Sequence, residues 1–559
     1  MSQQPKKQNF LQGAALLALA VAIVKVIGAV YKIPLRGIIG DVGFSYFNTA
    51  YQIYTLLLTI STAGLPIAMS RMISQAHSLG HSNRVRQIYK VARTLYLGLG
   101  LVCTLVMLVL CNWLADQMGQ PDAWASILCL APCALLMGFL SSYRGFFQGQ
   151  GNMIPTSTSQ VLEAFCKLVV GLIAAYAIMK ATSSIAWAAG GAILGVTVSC
   201  GVSAIFLKYT FRPAYRNLAV SSEEVDSFRH TAGKLLSIAI PITIGSAGLQ
   251  LLNVLEIGIY MDRIAGLLEA GQYQGQLIPI LSGEVQALKD YTPSEHYNLM
   301  ASSLNGIYNF GYTIFNMPCS FILPINTSVL PAITACLTLG DEQGIRKTEE
   351  SAARITGLLA APCAVGLAIL AGPVMALLGG YEGEKLVLAS QIMGVLGASV
   401  FLYSVVMFTN VLLQSHDKSH IPVINTLICG VAKLIAIYIL TGNPALGILG
   451  VPVCALGCYL GIAILNLISI RAAVPQKPAL LKNFLRALIP AGIMGVVVYL
   501  CQWVLTNSLH ITSNLLLCAI PIAVGAMVYV VGVVLTRAIT REDCLLLPKG
   551  EKLAKLLKL

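Results

Sequence analysis

Long apolar stretches recur along the whole 559-residue chain, separated by short polar and basic segments. A helical stretch of about 20 apolar residues is long enough to cross the hydrocarbon core of a bilayer. The pattern therefore predicts an all-α polytopic membrane protein with about 14 transmembrane helices. The predicted spans are 11–30, 45–70, 88–112, 124–146, 155–178, 184–208, 231–261, 300–332, 352–379, 387–413, 422–441, 446–470, 484–506 and 512–536.

Three features of the first half recur in the second half at nearly the same separation. The matching pairs are Leu65-Pro66 with Leu330-Pro331, Pro155 with Pro422, and Lys167 with Lys433. A constant separation indicates an internal duplication, here of two pseudo-symmetric six-helix lobes, followed by two additional C-terminal helices without a repeat partner. Duplicated bundles in membranes are typical of transporters that move one half against the other around a central site.

The duplication predicts the domain organisation. Its parts are an N-lobe at 1–229, a C-lobe at 230–475 with an external loop at 262–298, spans 13 and 14 at 476–540, and a basic cytoplasmic tail at 541–559. Within the external loop, Gln276–Leu288 is a candidate for a short interfacial helix.

Composition narrows the class of protein. Hydrophobic residues make up 57% of the chain and charged residues 11%, which excludes a water-soluble globule. A cytoplasmic N-terminus and C-terminus place most of the Lys and Arg on the cytoplasmic side, as the positive-inside rule requires. The formal charge of +13 is therefore explained by topology and by contact with membrane lipids, and not by nucleic-acid binding. The 15 cysteines lack paired spacing, so neither disulfides nor a metal site is predicted.

Ionisable residues inside the predicted spans are costly and therefore candidates for function. We expect Lys25, Lys167 and Lys433 to line a central cavity, with Lys32 and Arg36 near its outer mouth, where they would suit a pyrophosphate. Glu163 is a further candidate for this cavity, because it lies four residues before Lys167 and can partly neutralise its charge. Two polar residues of span two, Asn48 and Gln52, are candidates as well. The alternative is that each lysine extends to the membrane surface or pairs within its own lobe.

A polar group in span seven is a candidate for a coupling-ion site. Gln250, Asn253 and Glu256 lie near one face of a helix, and Asn425 is a further oxygen ligand. Such a site would take Na⁺ or H⁺; no other cofactor is predicted. A stripe of hydrogen bonds between helices is an equally good interpretation.

Two segments are predicted to act as hinges. Gly64 and Pro66 interrupt span two. Between spans four and five, Arg144 lies at the membrane surface, Gly149 and Gly151 form a tight turn, and Pro155 starts the next helix. We expect both segments to flex between inward-open and outward-open states.

The segments YFNTAYQIYTLLLTISTAGLPIAMSRMIS and RGFFQGQGNMIPTSTSQVLE resemble the polysaccharide-transporter branch of the multidrug/oligosaccharidyl-lipid/polysaccharide (MOP) exporter superfamily. Within it, the chain is similar to the MurJ-type lipid II flippases of Gram-positive bacteria and to their stage V sporulation protein B relatives, over essentially its whole length. The resemblance implies a V-shaped pair of lobes, a cationic central cavity, and a groove formed by spans 13 and 14 for a polyprenyl tail.

The chain departs from Gram-negative members of this branch in span one and span two. An Arg-Asp pair that those members carry after the span-one Gly is absent, since Gly28 is followed by Tyr31 and Lys32, although Lys25 matches the earlier Arg position. The span-two arginines have no counterpart either, because Leu58 and Thr59 occupy that region. Headgroup binding would therefore depend on Lys25, Lys167 and Lys433.

The resulting hypothesis is a flippase, and not an enzyme, for an undecaprenyl-pyrophosphate-linked saccharide, with lipid II first among them, in the bacterial cytoplasmic membrane. It would work as a monomer. One alternative is an exporter of another lipid-linked polysaccharide unit, in growth or in sporulation. Another is a MATE-like drug/cation antiporter. A membrane glycosyltransferase is disfavoured, because the acidic residues of the long external loop are scattered.

Overall fold

A computed structural model of the chain describes residues 10–62, 64–218, 225–273, 278–279, 281–282, 293–339, 341–475, 477–540 and 543. All regular secondary structure within these ranges is helical. The helices are α1 (Phe10–Thr62), α2 (Leu65–Ser78), α3 (Ser82–Val109), α4 (Cys111–Gln117), α5 (Trp124–Gly149), α6 (Ile154–Thr182), α7 (Ile185–Arg216), α8 (Phe228–Glu269), α9 (Pro293–Leu339), α10 (Glu342–Ile369), α11 (Ala371–Gly379), α12 (Gly383–Ser415), α13 (His420–Thr441), α14 (Gly450–Ala473), α15 (Leu480–Trp503) and α16 (Asn514–Leu535).

Local sequence explains several helix starts. Pro66 and Pro155 lie in the first turns of α2 and α6, where a missing backbone N–H costs nothing. The Asp341 carboxylate accepts a hydrogen bond from the Gly344 amide at 2.9 Å and caps α10. Ser184 caps α7 by accepting a bond from the Trp187 amide.

α1 is a hairpin of two helical arms. Gly40 alone leaves the helical conformation, with φ 69° and ψ −176°, a combination that residues with a side chain rarely adopt. Lys32 and Asn48 would be about 24 Å apart in a straight helix. Instead, Lys32 Nζ lies 2.9 Å from Asn48 Oδ1, so the chain reverses at Gly40.

This hairpin includes the predicted connection between spans one and two. The segment from Lys32 to Phe44, which lies between those spans, is helical on both sides of Gly40. One glycine is enough for the turn because it adopts a conformation closed to other residues.

Twelve helices are long and apolar enough to cross a membrane, judged by length and composition over the described residues. The first of them, Ala20–Ser78, contains both arms of the α1 hairpin and therefore accounts for two predicted spans. The 47-residue helix α9, which coincides with predicted span eight, is not among the twelve. These two additions reconcile the twelve helices with the fourteen predicted spans.

The chain forms two compact units. The first unit comprises Met1–Gly266 and Leu288–Gly306, and the second unit comprises Leu267–Ala287 and Ile307–Leu559. In the first unit, α6 and α7 approach closely: a β-carbon placed on Gly195 would lie 2.4 Å from the Cα of Gly171. In the second unit, α12, α14 and α15 share a core that includes Phe408 and Phe484.

The two units divide the chain differently from the sequence duplication. The duplication assigns the segment of α8 to the C-lobe, whereas most of α8 packs in the first unit; a β-carbon on Gly258, for example, would lie 3.0 Å from the carbonyl oxygen of Gln117. The boundaries of a sequence duplication need not coincide with those of the units into which the chain packs. The lobe boundary at 229 therefore stays a prediction. Most of the candidate interfacial helix at Gln276–Leu288 and the tail after residue 543 lie outside the described residues.

Candidate substrate-binding site

The α1 hairpin brings polar groups from its two arms together. Lys32 Nζ donates to Asn48 Oδ1, and the Asn48 amide nitrogen donates to the Phe44 carbonyl at 2.7 Å. The same ammonium group lies 5.9 Å from the centre of the Phe44 ring. Gln52, one turn beyond Asn48, is half-buried. Lys32 is thus held by an amide oxygen and an aromatic face, neither of which cancels its charge.

Lys167 reaches this group from α6. Its Nζ lies 5.7 Å from the Tyr31 ring centre and 5.9 Å from the Tyr51 ring centre. Tyr31 is fixed because it is fully buried and its hydroxyl donates to the Ala192 carbonyl of α7 at 3.0 Å. The aromatic rings therefore position Lys167 beside the hairpin.

Three of the predicted lysines lie within electrostatic range of one another. Lys25 and Lys167 both repel Lys32, and Lys25 also repels Lys167. Lys25 is exposed, whereas Lys32 and Lys167 are half-buried. The first unit thus concentrates positive charge at one place, and we call Lys25, Lys32 and Lys167 the lysine cluster. Lys433 is half-buried on α13 of the second unit.

Arg36 has a different environment from the lysine cluster. Its guanidinium binds the Asp41 carboxylate through two contacts, at 2.8 and 3.2 Å, and thereby joins the two sides of the Gly40 turn. A bidentate pair of this kind is a strong interaction. The arrangement favours a structural role for Arg36 in the hairpin.

Glu163 is bound by Arg144. Arg144 Nη2 lies 2.8 Å from a Glu163 carboxylate oxygen, and its Nε donates to the Ser159 hydroxyl at 3.0 Å. This pair connects α5 with α6, so the carboxylate has a strong partner besides Lys167, whose charge it also attracts. The turn between these helices is short: α5 ends at Gly149, Gly151 has φ 75°, and Ile154 starts α6.

The break before Pro66 is packed against α8. A β-carbon on Gly64 would lie 2.1 Å from the Ala239 carbonyl oxygen, and the Gly64 amide donates to the Thr243 hydroxyl at 3.2 Å. Only glycine permits that approach. The predicted interruption between α1 and α2 is present, and its flexing stays a prediction.

A buried polar network, which the sequence pattern did not indicate, links four segments of the first unit. Tyr260 donates to Asn305, Asn305 donates to Ser45, and Ser45 donates to Gln120, at 2.8, 2.8 and 2.9 Å. All four side chains are almost completely buried. They were missed because single uncharged polar residues are common within the spans, and the contacts that join these four are distant in sequence.

The coupling-ion candidates belong to both compact units. Glu256 is buried on α8, one turn before Tyr260, while Asn253 is exposed and donates to Gln250 at 3.4 Å. Asn425 belongs to the second unit, where it donates to Asn466 at 2.9 Å and to Ser469 at 3.4 Å. Within the described residues no group of three or more His, Cys, Asp or Glu side chains is arranged to hold a metal ion.

Two family models match the sequence. Residues 10–336, more than half of the chain, match the family described as polysaccharide biosynthesis protein, and residues 297–519 match the family described as lipid II flippase MurJ. Two curated relatives come from Bacillus subtilis (strain 168). Lipid II flippase MurJ is 24% identical over 542 residues, covering 93% of both chains, and stage V sporulation protein B is 23% identical over 465 residues, covering 83% of both chains.

A solved structure described as lipid II flippase MurJ in an inward closed conformation has a similar fold. It superposes with a TM-score of 0.64 at 13% sequence identity, covering 94% of this chain and 99% of the other. This likeness confirms the predicted polytopic helical fold. Together with the apolar helices, the relatives identify a multi-pass protein of the cytoplasmic membrane.

Proposed function

The chain belongs to the polysaccharide biosynthesis protein family, and on this premise we propose that it is a flippase for an undecaprenyl-pyrophosphate-linked saccharide, namely lipid II. One curated relative and one solved structure that resemble the chain are both named lipid II flippase MurJ. The proposal rests on one observation, the lysine cluster of the first unit.

The lysine cluster suits a diphosphate because its charges repel one another. Lys32 and Lys167 are half-buried and held by amide and aromatic groups, so their mutual repulsion is screened less than it would be at a surface. A bound anion with several negative charges would relieve this repulsion. Aromatic faces also provide apolar contact for the first isoprene units next to the diphosphate.

Asn48 and Gln52 extend the proposed site with neutral polar groups. Asn48 is 8% exposed and already bonded to Lys32, while Gln52 is half-buried one helical turn away. Amide side chains both donate and accept hydrogen bonds, as recognition of sugar hydroxyls requires. In our proposal the lysines of the cluster bind the diphosphate and these amides contact the saccharide.

Transport would proceed by alternating access. The glycine-dependent turns at Gly40, Gly64 and Gly151 divide the first unit into rigid helices joined at short, defined positions. Membrane potential, or a gradient of Na⁺ or H⁺ acting at Glu256, would return the empty carrier to the cytoplasmic side.

The additional helices α15 and α16 would accommodate the polyprenyl tail. Both expose large apolar side chains, including Val496 at 62%, Met527 at 63% and Val530 at 55% exposure. A tail lying along these helices would remain in lipid while the headgroup crosses.

The charge of the site argues against a drug/cation antiporter. An organic cation needs an unpaired carboxylate among the aromatic rings of its cavity, whereas the Lys167 ammonium group lies beside Tyr31 and Tyr51, and the nearby Glu163 carboxylate is already bound by Arg144.

Complementation tests the proposed substrate. We expect this chain to sustain growth of a bacterium depleted of its essential lipid II flippase, and Lys32→Gln with Lys167→Gln to abolish that rescue at equal membrane abundance. Lys180→Gln is the matched control, because Lys180 is an exposed lysine on the same helix as Lys167.

Purified protein separates the alternatives. In proteoliposomes, we expect movement of fluorescent lipid II and inhibition by undecaprenyl pyrophosphate. Movement of another polyprenyl-linked glycan without lipid II would identify the chain as a different polysaccharide exporter. Efflux of an organic cation without either lipid would contradict the flippase proposal.

A further inference from the structure

A groove of about 730 Å³ lies in the second unit between the end of α14 and the start of α15. Five of the residues that line it are exposed, branched apolar side chains. On α15, Leu481, Leu485 and Ile489 repeat every four residues and share one face; on α14, Ile464 and Ile468 do the same. Their exposed fractions lie between 47% and 58%. This surface is not part of the lysine cluster, which belongs to the first unit.

Three cationic side chains line one end of this groove. Arg471 is in the last turn of α14, and Lys482 and Arg486 are in the first two turns of α15. All three are exposed, and none forms an ion pair with another residue in the described part of the chain. We call them the groove cations. The lining contains no Asp or Glu.

The neighbouring carboxylate does not neutralise the groove cations. Glu350 of α10 accepts a hydrogen bond from the Ala479 amide at 3.0 Å and from Arg346 Nε at 3.0 Å. These two donors occupy one Glu350 oxygen, and Arg346 balances its charge. The three groove cations therefore keep their positive charge at one end of the apolar groove.

The chemistry of the groove specifies an amphiphilic anion. The apolar wall can bind hydrocarbon chains, and the groove cations can bind a phosphate group at the membrane surface. The topology prediction assigns this end of the groove to the cytoplasmic side. The basic tail of the chain is not a suitable occupant, because Lys549, Lys552, Lys555 and Lys558 carry the same sign of charge as the groove cations.

We propose that this groove binds an acidic glycerophospholipid, such as phosphatidylglycerol, with its phosphate on the groove cations and an acyl chain along Ile464, Ile468 and Ile489. A glycerophospholipid is favoured over a polyprenyl lipid by mass action, because glycerophospholipids form the bulk of the membrane around the groove. The bound lipid fills the space between α14 and the first of the two additional helices, and so stabilises their packing. The proposal is independent of which substrate the protein transports.

Photo-crosslinking tests the site. The full-length protein is reconstituted in phosphatidylcholine nanodiscs that contain either a diazirine-labelled phosphatidylglycerol or a phosphatidylcholine with the same labelled chain, and crosslinked peptides are mapped by mass spectrometry. We expect phosphatidylglycerol to label the segments around Ile468 and Ile489 several-fold more than phosphatidylcholine.

A pair of triple variants gives the matched comparison. Arg471→Gln with Lys482→Gln and Arg486→Gln should lower this labelling by about fivefold for each cation removed. Lys208→Gln with Arg212→Gln and Arg216→Gln removes the same charge from exposed positions on α7 and should leave the labelling unchanged. Thermal unfolding in nanodiscs without acidic lipid shows whether both variants are folded.

Three results would overturn the proposal. These are equal labelling by the two lipids, labelling that survives loss of the groove cations, and displacement of phosphatidylglycerol by equimolar undecaprenyl pyrophosphate, which would identify a polyprenyl lipid as the occupant. None of them depends on whether the protein flips lipid II, so failure here and failure of the proposed function are distinguishable.

Discussion

Arg354 of α10 and Asp543, which follows α16, form a buried ion pair 189 residues apart in the chain. Arg354 Nη2 lies 2.8 Å from Asp543 Oδ1, and Asp543 has no exposed surface. Asn483 of α15 accepts a hydrogen bond from Arg354 at 3.2 Å, and the Ser351 hydroxyl donates to Asp543. The pair and its hydrogen bonds therefore link the residue after α16 to α10 and α15.

Replacing Asp543 should destabilise the second unit. Asp543→Asn leaves the Arg354 charge buried without its counter-ion, at a cost of about 3 kcal/mol in the free energy of unfolding. We expect a lower midpoint of thermal unfolding in detergent. Asp417→Asn is the control, because Asp417 is an exposed aspartate in the turn after α12.

The same pair predicts a pH dependence of stability. Burial raises the pKa of Asp543, but hydrogen bonds from Arg354, Ser351 and Thr540 outweigh burial and hold the pKa below its usual value. Since the pKa is lower in the folded protein than in the unfolded chain, the stabilisation is fully present above the unfolded pKa of about 3.9 and is lost as pH falls through the folded value. Wild-type protein should lose more stability than Asp543→Asn over this acidic range; equal losses would contradict the assignment.

The turn at Gly40 predicts a glycine-specific effect. Gly40→Ala forces a β-carbon into a backbone conformation that costs about 1–3 kcal/mol for residues other than glycine. Gly37→Ala, on the same arm with open space around it, should be tolerated. Thermal unfolding of the two variants in detergent measures the difference. Equal stability would mean that the α1 hairpin turns at another residue.

Local periodicity was sufficient to predict the helices but not their partners. Apolar runs predicted the spans because a helix in lipid must satisfy its backbone internally and cover itself with apolar side chains. The spacing of Glu163 and Lys167 predicted a pair on one helix face, but it could not reveal that the α5–α6 hairpin brings Arg144 to Glu163 across 19 residues.

The candidate site was predicted in part for the same reason. The cost of burying charge singled out Lys25 and Lys167 from the sequence. It gave no indication that Tyr31 and Tyr51 position Lys167, because aromatic residues are frequent in every span. Tertiary contacts such as that between Arg354 and Asp543 have no local signature at all.

The predicted topology can be tested by labelling single cysteines. Cysteines at Asp122 and Glu382 should react with an impermeant maleimide in intact cells, and cysteines at His81 and Asp341 only after permeabilisation. A version of the protein without its native cysteines provides the background. External labelling at His81 would contradict the fourteen-span topology with cytoplasmic termini.

The role of Lys167 can be separated from that of its neighbour Glu163. Lys167→Ala removes one of the ammonium groups of the lysine cluster, and we expect roughly a tenfold loss of lipid II flipping, equivalent to about 1.4 kcal/mol, at normal abundance. Lys180→Ala makes the same change in charge at an exposed position of the same helix and should transport normally.

The double variant Glu163→Gln with Lys167→Ala then distinguishes substrate binding from charge balance within α6. Glu163 keeps Arg144 as its partner at 2.8 Å when Lys167 is lost, so the carboxylate should not be the cause of the defect. Transport by the double variant should therefore remain as low as that of Lys167→Ala in proteoliposomes that contain equal amounts of protein. Recovery to the wild-type rate would instead show that Lys167 serves as a structural counter-ion of Glu163, and the diphosphate would have to bind without it.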